Sequence, residues 1–116
     1  MITTKLKIRN PAYPSRLVEE KFLVDSGATF TVLPRELVRK LGLKPSYERS
    51  FTLADGRIVK RKVGNALIEF NGREAASPVV LGRKKDSPLL GTLTLEGLGL
   101  VLDPFERKLH RAKLML

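Results

Sequence analysis

The sequence predicts a mostly-β, barrel-like fold of short strands with one main helix. Three observations predict it. Short runs rich in β-branched and aromatic residues recur along the chain, separated by turn residues. Two of those turns, Asp55-Gly56 and Asn71-Gly72, are the Asx-Gly pairs that close tight hairpins. One segment near residues 34–41 repeats its apolar positions at helical spacing. With 116 residues, 42% of them hydrophobic, the chain is long enough for one domain over residues 1–116 with a modest core.

The first element is "TTKLKI", which alternates polar and apolar residues and reads as a strand, broken by the two prolines of "NPAYPS". "RLVEEKFLVDS" resumes a strand and ends in the apolar trio Phe22-Leu23-Val24. The turn "DSGAT" leads to "FTVL", a further strand. "PRELVRKLGL" is the main helix, over about 34–41. Pro34 stands near its start, Glu36 in the first turn, Arg39 and Lys40 near the end, and Gly42 supplies a left-handed stop. Leu37, Val38 and Leu41 share a face. "SFTLADGRIVKRKV" and "GNALIEFNGREAASPVVL" read as two hairpins. "LLGTLTLEGLGLVLD" holds a short helix from about Thr92, stopped by Gly97 or Gly99, and then a strand. "DPFERK" is a turn, with Asp103 as its cap, and "LHRAKLML" is a last strand.

The stretch that asks for a chemical explanation is "FLVDSGATF". An apolar run delivers one aspartate, Asp25, into a turn of small residues, where a carboxylate loses solvation. Gly27 offers the turn backbone angles that strain other residues. Taken alone, "DSG" is common, and an Asx turn in which Asp25 bonds its own loop accounts for it. Its context says more. Apolar-apolar-Asp-Ser-Gly-Ala-Thr resembles the active-site signature of the retroviral-type, or retropepsin-like, aspartic proteases. The downstream order is similar as well: a strand and helix as in the cellular and prokaryotic single-domain branch, a hairpin at Asp55-Gly56 where the family has its flap, and "PLLGTLTLEGLGLVLD" in place of its second landmark. The resemblance runs over roughly residues 17–104.

The resemblance implies a closed barrel with a short helix after Leu-Leu-Gly, and one catalytic aspartate per chain, Asp25. Two chains then meet as a homodimer, and Asp25 faces its copy. Two carboxylates at close range share one proton, so the ionised member can activate a water that attacks a peptide carbonyl. The protonated member donates to the oxyanion and then to the leaving nitrogen. In the same way Ser26, Gly27 and Ala28 match the active-site loop. Leu53, Ala54, Asp55, Gly56, Arg57 and Ile58 match a flap that closes over a peptide substrate. Leu89 matches the wall of an apolar specificity pocket, with Leu90 and Gly91 as packing and turn residues. No metal and no cofactor are implied. The chain departs from the retroviral pattern at Thr29, Phe30 and Thr92, where charged or amide side chains usually cross-link the two landmarks, and its flap tip is not glycine-rich.

Composition narrows the remaining classes. Without cysteine there is no disulfide framework and no thiolate nucleophile, and a single histidine, His110, is poor material for a serine or zinc hydrolase. No apolar run reaches the roughly 18 residues of a membrane span, and the first residues lack the apolar centre of a signal peptide, so a cytoplasmic protein with no membrane partner is expected. Lys plus Arg exceed Asp plus Glu by 22 to 12, for a formal net charge of +10. That balance suits acidic partners. The aromatic residues are scattered, so nucleic acid stays open as a partner without being favoured. Two readings therefore stand beside the peptidase: the same fold serving only as a binding module for an acidic protein or nucleic acid, and an unrelated basic β-barrel that binds RNA or DNA. The first strand, the C-terminal hairpin and the apolar tail Leu114-Met115-Leu116 are the segments available for a dimer interface.

Overall fold

A computed structural model of the chain describes residues 2–113 and 115–116. Leu114 lies outside the described residues. Among those described, nine strands and two helices succeed one another as β1 (Thr3–Arg9), β2 (Leu17–Val24), β3 (Thr31–Leu33), α1 (Arg35–Leu41), β4 (Tyr47–Thr52), β5 (Ile58–Phe70), β6 (Arg73–Leu81), β7 (Leu89–Leu90), α2 (Thr92–Gly97), β8 (Leu100–Asp103) and β9 (Lys108–Arg111). Seven strands pair in the order β1-β2-β7-β3-β6-β5-β4, and a further antiparallel pairing of Lys7–Arg9 with Leu67–Glu69 ties β1 to β5. The pairings thus run in a closed ring of six strands, with β4 hung on the outside of β5. Strands β8 and β9 form a separate hairpin.

Alternation decides which side chains face inward. On β1, Leu6 and Ile8 are buried while Lys5 and Lys7 are exposed; on β2, Phe22 and Val24 are buried. These residues join Leu33, Leu37, Leu41, Ala66, Ile68, Val79, Leu90, Leu95 and Leu98 in one core cluster. Each large apolar side chain placed there is worth about 1.5–3 kcal/mol relative to exposure.

Helix α1 ends as its sequence requires. Gly42 sits at φ 68°, and its N–H closes on Arg39 O. Buried Asn10, in the loop after β1, donates from Nδ2 to Leu41 O at 2.7 Å, and its Oδ1 accepts the N–H of Ala12 at 2.8 Å. One side chain thereby satisfies a helix-end carbonyl and shapes the proline-rich loop. The β5–β6 hairpin turns at Asn71-Gly72 with both residues at positive φ, 49° and 79°, the signature of a type I′ turn.

One boundary differs from the sequence reading. "IVKRKV" and "GNALIEF" are a single 13-residue strand, not parts of two separate hairpins. Gly64 does not interrupt β5. A Cβ there would lie 3.0 Å from Lys44 O, so its role is to admit a neighbouring backbone.

Candidate active site

The topology brings the two sequence landmarks side by side. Short β7 lies between β2, which it meets in parallel through Leu23↔Leu89 and Val24↔Leu90, and β3, which it meets through Val32↔Leu89. At the end of β2 the Asp25 N–H donates to Leu90 O at 3.0 Å. The chain then turns, with the Ala28 N–H on Asp25 O at 3.2 Å, and the Gly27 N–H donates to Asp25 Oδ1 at 2.8 Å. That is the Asx geometry the bare tripeptide suggested, formed on a half-buried carboxylate that lines a cleft. Among the described residues no other donor reaches the Asp25 side chain.

Gly27 serves differently from the sequence expectation. It is not among the glycines at positive φ. Its Cα instead lies so close to the carboxylate that a Cβ would be 3.2 Å from Asp25 Oδ1. A side chain at this position would crowd the one oxygen its own N–H holds.

The turn is braced from beneath. The N–H groups of Thr92 and Leu93, at the start of α2, donate to Ala28 O at 2.8 Å and Thr29 O at 3.0 Å. Below them Thr31, Thr94 and Ser77, all buried, form a chain of hydroxyls. Thr31 Oγ1 and Thr94 Oγ1 are 2.6 Å apart, Ser77 Oγ and Thr94 Oγ1 are 2.8 Å apart, and the Gly91 N–H donates to Thr31 Oγ1 at 3.0 Å. Gly91 has no room for a side chain, since a Cβ would fall 2.5 Å from the carbonyl carbon of Phe30. The side-chain cross-link missing at Thr29, Phe30 and Thr92 is thus made by backbone and by buried hydroxyls. Sequence alone does not mark any of those three hydroxyls, because each looks like an ordinary strand or helix residue until the topology brings them together.

The cleft above Asp25 has a volume of about 570 Å³. Its floor includes Gly27 and Ala28; Leu89 is on its wall, as expected. Leu53 and Ala54 of the β4–β5 hairpin also line it. Asp55, Gly56, Arg57 and Ile58 sit at the exposed tip, outside the lining, and Ser26 is exposed beside it. The sequence did not mark Val32, Phe51, Val59, Arg61 and Val80 as lining residues, nor Phe30, which stood out only as a departure from the retroviral pattern; all six line the cleft. A two-residue turn at Asp55-Gly56 would set Phe51 against Lys60, but the loop is three residues, Ala54-Asp55-Gly56, closed by Leu53 and Arg57; the register it fixes pairs Phe51 with Val59 and Arg49 with Arg61, and alternation places both pairs on one face.

Two features fix this hairpin. Phe51 meets Phe30 edge-on, with ring centroids 5.3 Å apart and an interplanar angle of 86°. At the tip Gly56 adopts φ 87°, the Leu53 N–H donates to Arg57 O at 2.8 Å, and Asp55 accepts from the Arg57 N–H at 3.0 Å and from Arg57 Nε at 2.7 Å. The Arg57 N–H, then its guanidinium, hold the Asp55 carboxyl below its ordinary pKa. Far from the cleft, Asp103 is the turn cap expected of it. Its Oδ1 accepts the N–H groups of Phe105 and Glu106, and those bonds, the Glu106 N–H first, lower its pKa.

A barrel of this order, with a carboxylate in a braced small-residue turn and a hairpin lying over it, defines the aspartic protease class. The chain belongs to the aspartyl protease family, whose sequence model matches residues 17–94. Its fold is retropepsin-like. It is similar to the EIAV protease complexed with the inhibitor HBY-793, at a TM-score of 0.60 and 22% identity over 99% of this chain and 92% of that one. It is also similar to the solution structure of the simian foamy virus (mac) protease, at a TM-score of 0.54 and 19% identity over 80% of this chain and 92% of that one. At these identities the likeness is one of fold. No curated protein matches the chain. No helix among the described residues is long and apolar enough to cross a membrane.

Proposed function

We propose that this protein is an aspartic endopeptidase, a single domain over residues 1–116 that acts as a homodimer with one Asp25 from each chain in the catalytic dyad. The observation that carries this reading is the half-buried Asp25 carboxylate, lining a cleft beneath a hairpin and held through one oxygen by the Gly27 N–H. A second carboxylate from a partner gives the pair a shared proton. The ionised member then serves as general base toward water, and the protonated member as general acid. Asp25 carries the chemistry, with Ser26, Gly27 and Ala28 as the loop that presents it. Leu53, Ala54 and Leu89 contact substrate. Asp55, Gly56, Arg57 and Ile58 come down over the peptide when the hairpin closes.

The bonds from Thr92 and Leu93 to the Asp25 loop support a working site over one kept only for binding, because the atypical residues at Thr29, Phe30 and Thr92 leave the brace in place. The β8–β9 hairpin supports the dimer. Its outer edges are unpaired among the described residues, and it exposes Val101 and Phe105, the latter 96% accessible.

The test is cleavage of a diverse peptide library by wild type and Asp25→Asn between about pH 3 and pH 7, at concentrations where the dimer is verified. Wild type should cleave best on the acidic side, with activity lost in the variant. A verified wild-type dimer that cleaves nothing would sink the peptidase reading.

A further inference from the structure

The hairpin over the cleft carries its charges in an arrangement that folding alone does not favour. On its outer face, Glu48 is opposite Lys62, a complementary pair. On its cleft face, Arg49 is opposite Arg61. Directly opposed residues of an antiparallel pair have Cβ atoms about 5 Å apart, and like charges there are destabilising. Among the described residues neither guanidinium has a carboxylate within salt-bridge distance. Arg61 donates from Nη1 only to the neighbouring Lys60 carbonyl at 3.0 Å, and it lines the cleft. The Arg49 guanidinium lies 5.6 Å from the centroid of the Phe30 ring, itself part of the cleft wall.

The surroundings say what the two arginines can take. One step along the same face is the apolar pair Phe51 and Val59, which closes a pocket with Phe30, Val80 and Leu89. An extended peptide repeats its side-chain direction every two residues, at the same pitch as the hairpin above it. The other ionisable groups in the cleft, Asp25 and Asp86, repel an anion. Asp86 is already committed through Oδ2 to the Arg83 N–H. Among the described residues lining the cleft the one cation is Arg61, and Arg49 stands opposite it on the same face of the hairpin, over the Phe30 ring.

The geometry points to Arg49 and Arg61 as an anion-binding subsite that selects peptides with an Asp or Glu within two residues of the apolar side chain filling the Phe30–Phe51–Val59 pocket. The inference names the substrate class for the peptidase reading and rests on it. The substrate carboxylate relieves the repulsion between the two guanidiniums by bridging them, and Arg49 keeps its place on the Phe30 face. Two charged contacts at a partly solvated rim correspond to a preference on the order of tenfold.

Paired peptides that differ only by Glu against Gln at this position test it. Cleavage is measured as a ratio of kcat/KM, and binding to the Asp25→Asn protein by fluorescence anisotropy, a readout that needs no turnover. Wild type should prefer the Glu peptide about tenfold, Arg49→Gln/Arg61→Gln should bring the ratio near one, and Arg61→Glu should shift preference toward a Lys peptide. The Gln variant removes a repulsion, so loss of fold is not its expected consequence. Equal treatment of the Glu and Gln peptides by wild type overturns the inference, as does a preference that survives in the double Gln variant. A single-stranded oligonucleotide that displaces the Glu peptide from wild type but not from the double Gln variant assigns the arginine pair to phosphate and also overturns it. Absence of cleavage with an intact Glu preference in binding leaves the subsite standing and removes the peptidase reading.

Discussion

At the residue scale the site depends on polar groups that never touch substrate. Thr94 is fully buried, and its hydroxyl is shared by Thr31 and Ser77. Thr94→Val keeps the shape and removes the hub. Thr31 and Ser77 then each lose a partner in a buried setting, where an unmet hydroxyl costs about 1–3 kcal/mol. The expected result is a fall of that size in urea-unfolding free energy with an unaltered m-value, together with a loss of activity beyond the change in folded fraction, because the Thr31 end of the chain holds the Gly91 N–H. A stability equal to wild type would mean that the hydroxyls are replaceable packing. The small-residue turn at Asp25 was legible from sequence, where the bare Asp-Ser-Gly suggested an Asx turn and the apolar runs around it, with the order of landmarks after it, carried the family resemblance. The hydroxyl chain was not legible, since Thr31, Ser77 and Thr94 come from three separate elements.

At the scale of elements, local chemistry was legible wherever a turn or cap fixed it. Gly42, Gly56 and the Asn71-Gly72 pair all stand at the positive φ that their turns require. What could not be read was the pairing of β7 between β2 and β3, since a two-residue strand has no periodicity to show. The β4–β5 hairpin makes a prediction of its own. The Arg57 N–H and guanidinium depress the Asp55 pKa, so the ordering they give the tip is fully present above the ordinary carboxylate value and is lost as pH falls through the lower, folded value. From about pH 4 downward the tip therefore loosens progressively. NMR titration of Asp55 should give a midpoint below that of an unstructured peptide, with faster exchange of the Gly56 amide beneath it, and Asp55→Asn should lack the transition. An Asp55 midpoint at the unstructured value would show that the ion pair with Arg57 does not order the tip in solution.

At the scale of the whole molecule, charge and assembly oppose each other. Each chain carries a formal +10, so two chains meeting through a common face repel over long range. In the proposed homodimer, apolar contacts and strand edges on the β8–β9 hairpin have to exceed that repulsion, and salt weakens only the repulsion. At about 0.1 M salt the screening length is roughly 10 Å, shorter than the span between the charged surfaces of two such domains. Dimerisation should therefore tighten as ionic strength rises. It should weaken toward low pH, where protonation of the twelve Asp and Glu side chains raises the positive charge further. Binding of an acidic peptide at Arg49 and Arg61 has the reverse sign, since salt screens an attraction. Sedimentation equilibrium at two salt concentrations and two pH values, beside anisotropy of a Glu peptide, separates the two. Specific activity at low protein concentration should rise with salt while the preference for Glu over Gln falls. If the dimer instead loosens with salt, complementary charges hold it, and the interface lies somewhere other than the apolar edge of the hairpin.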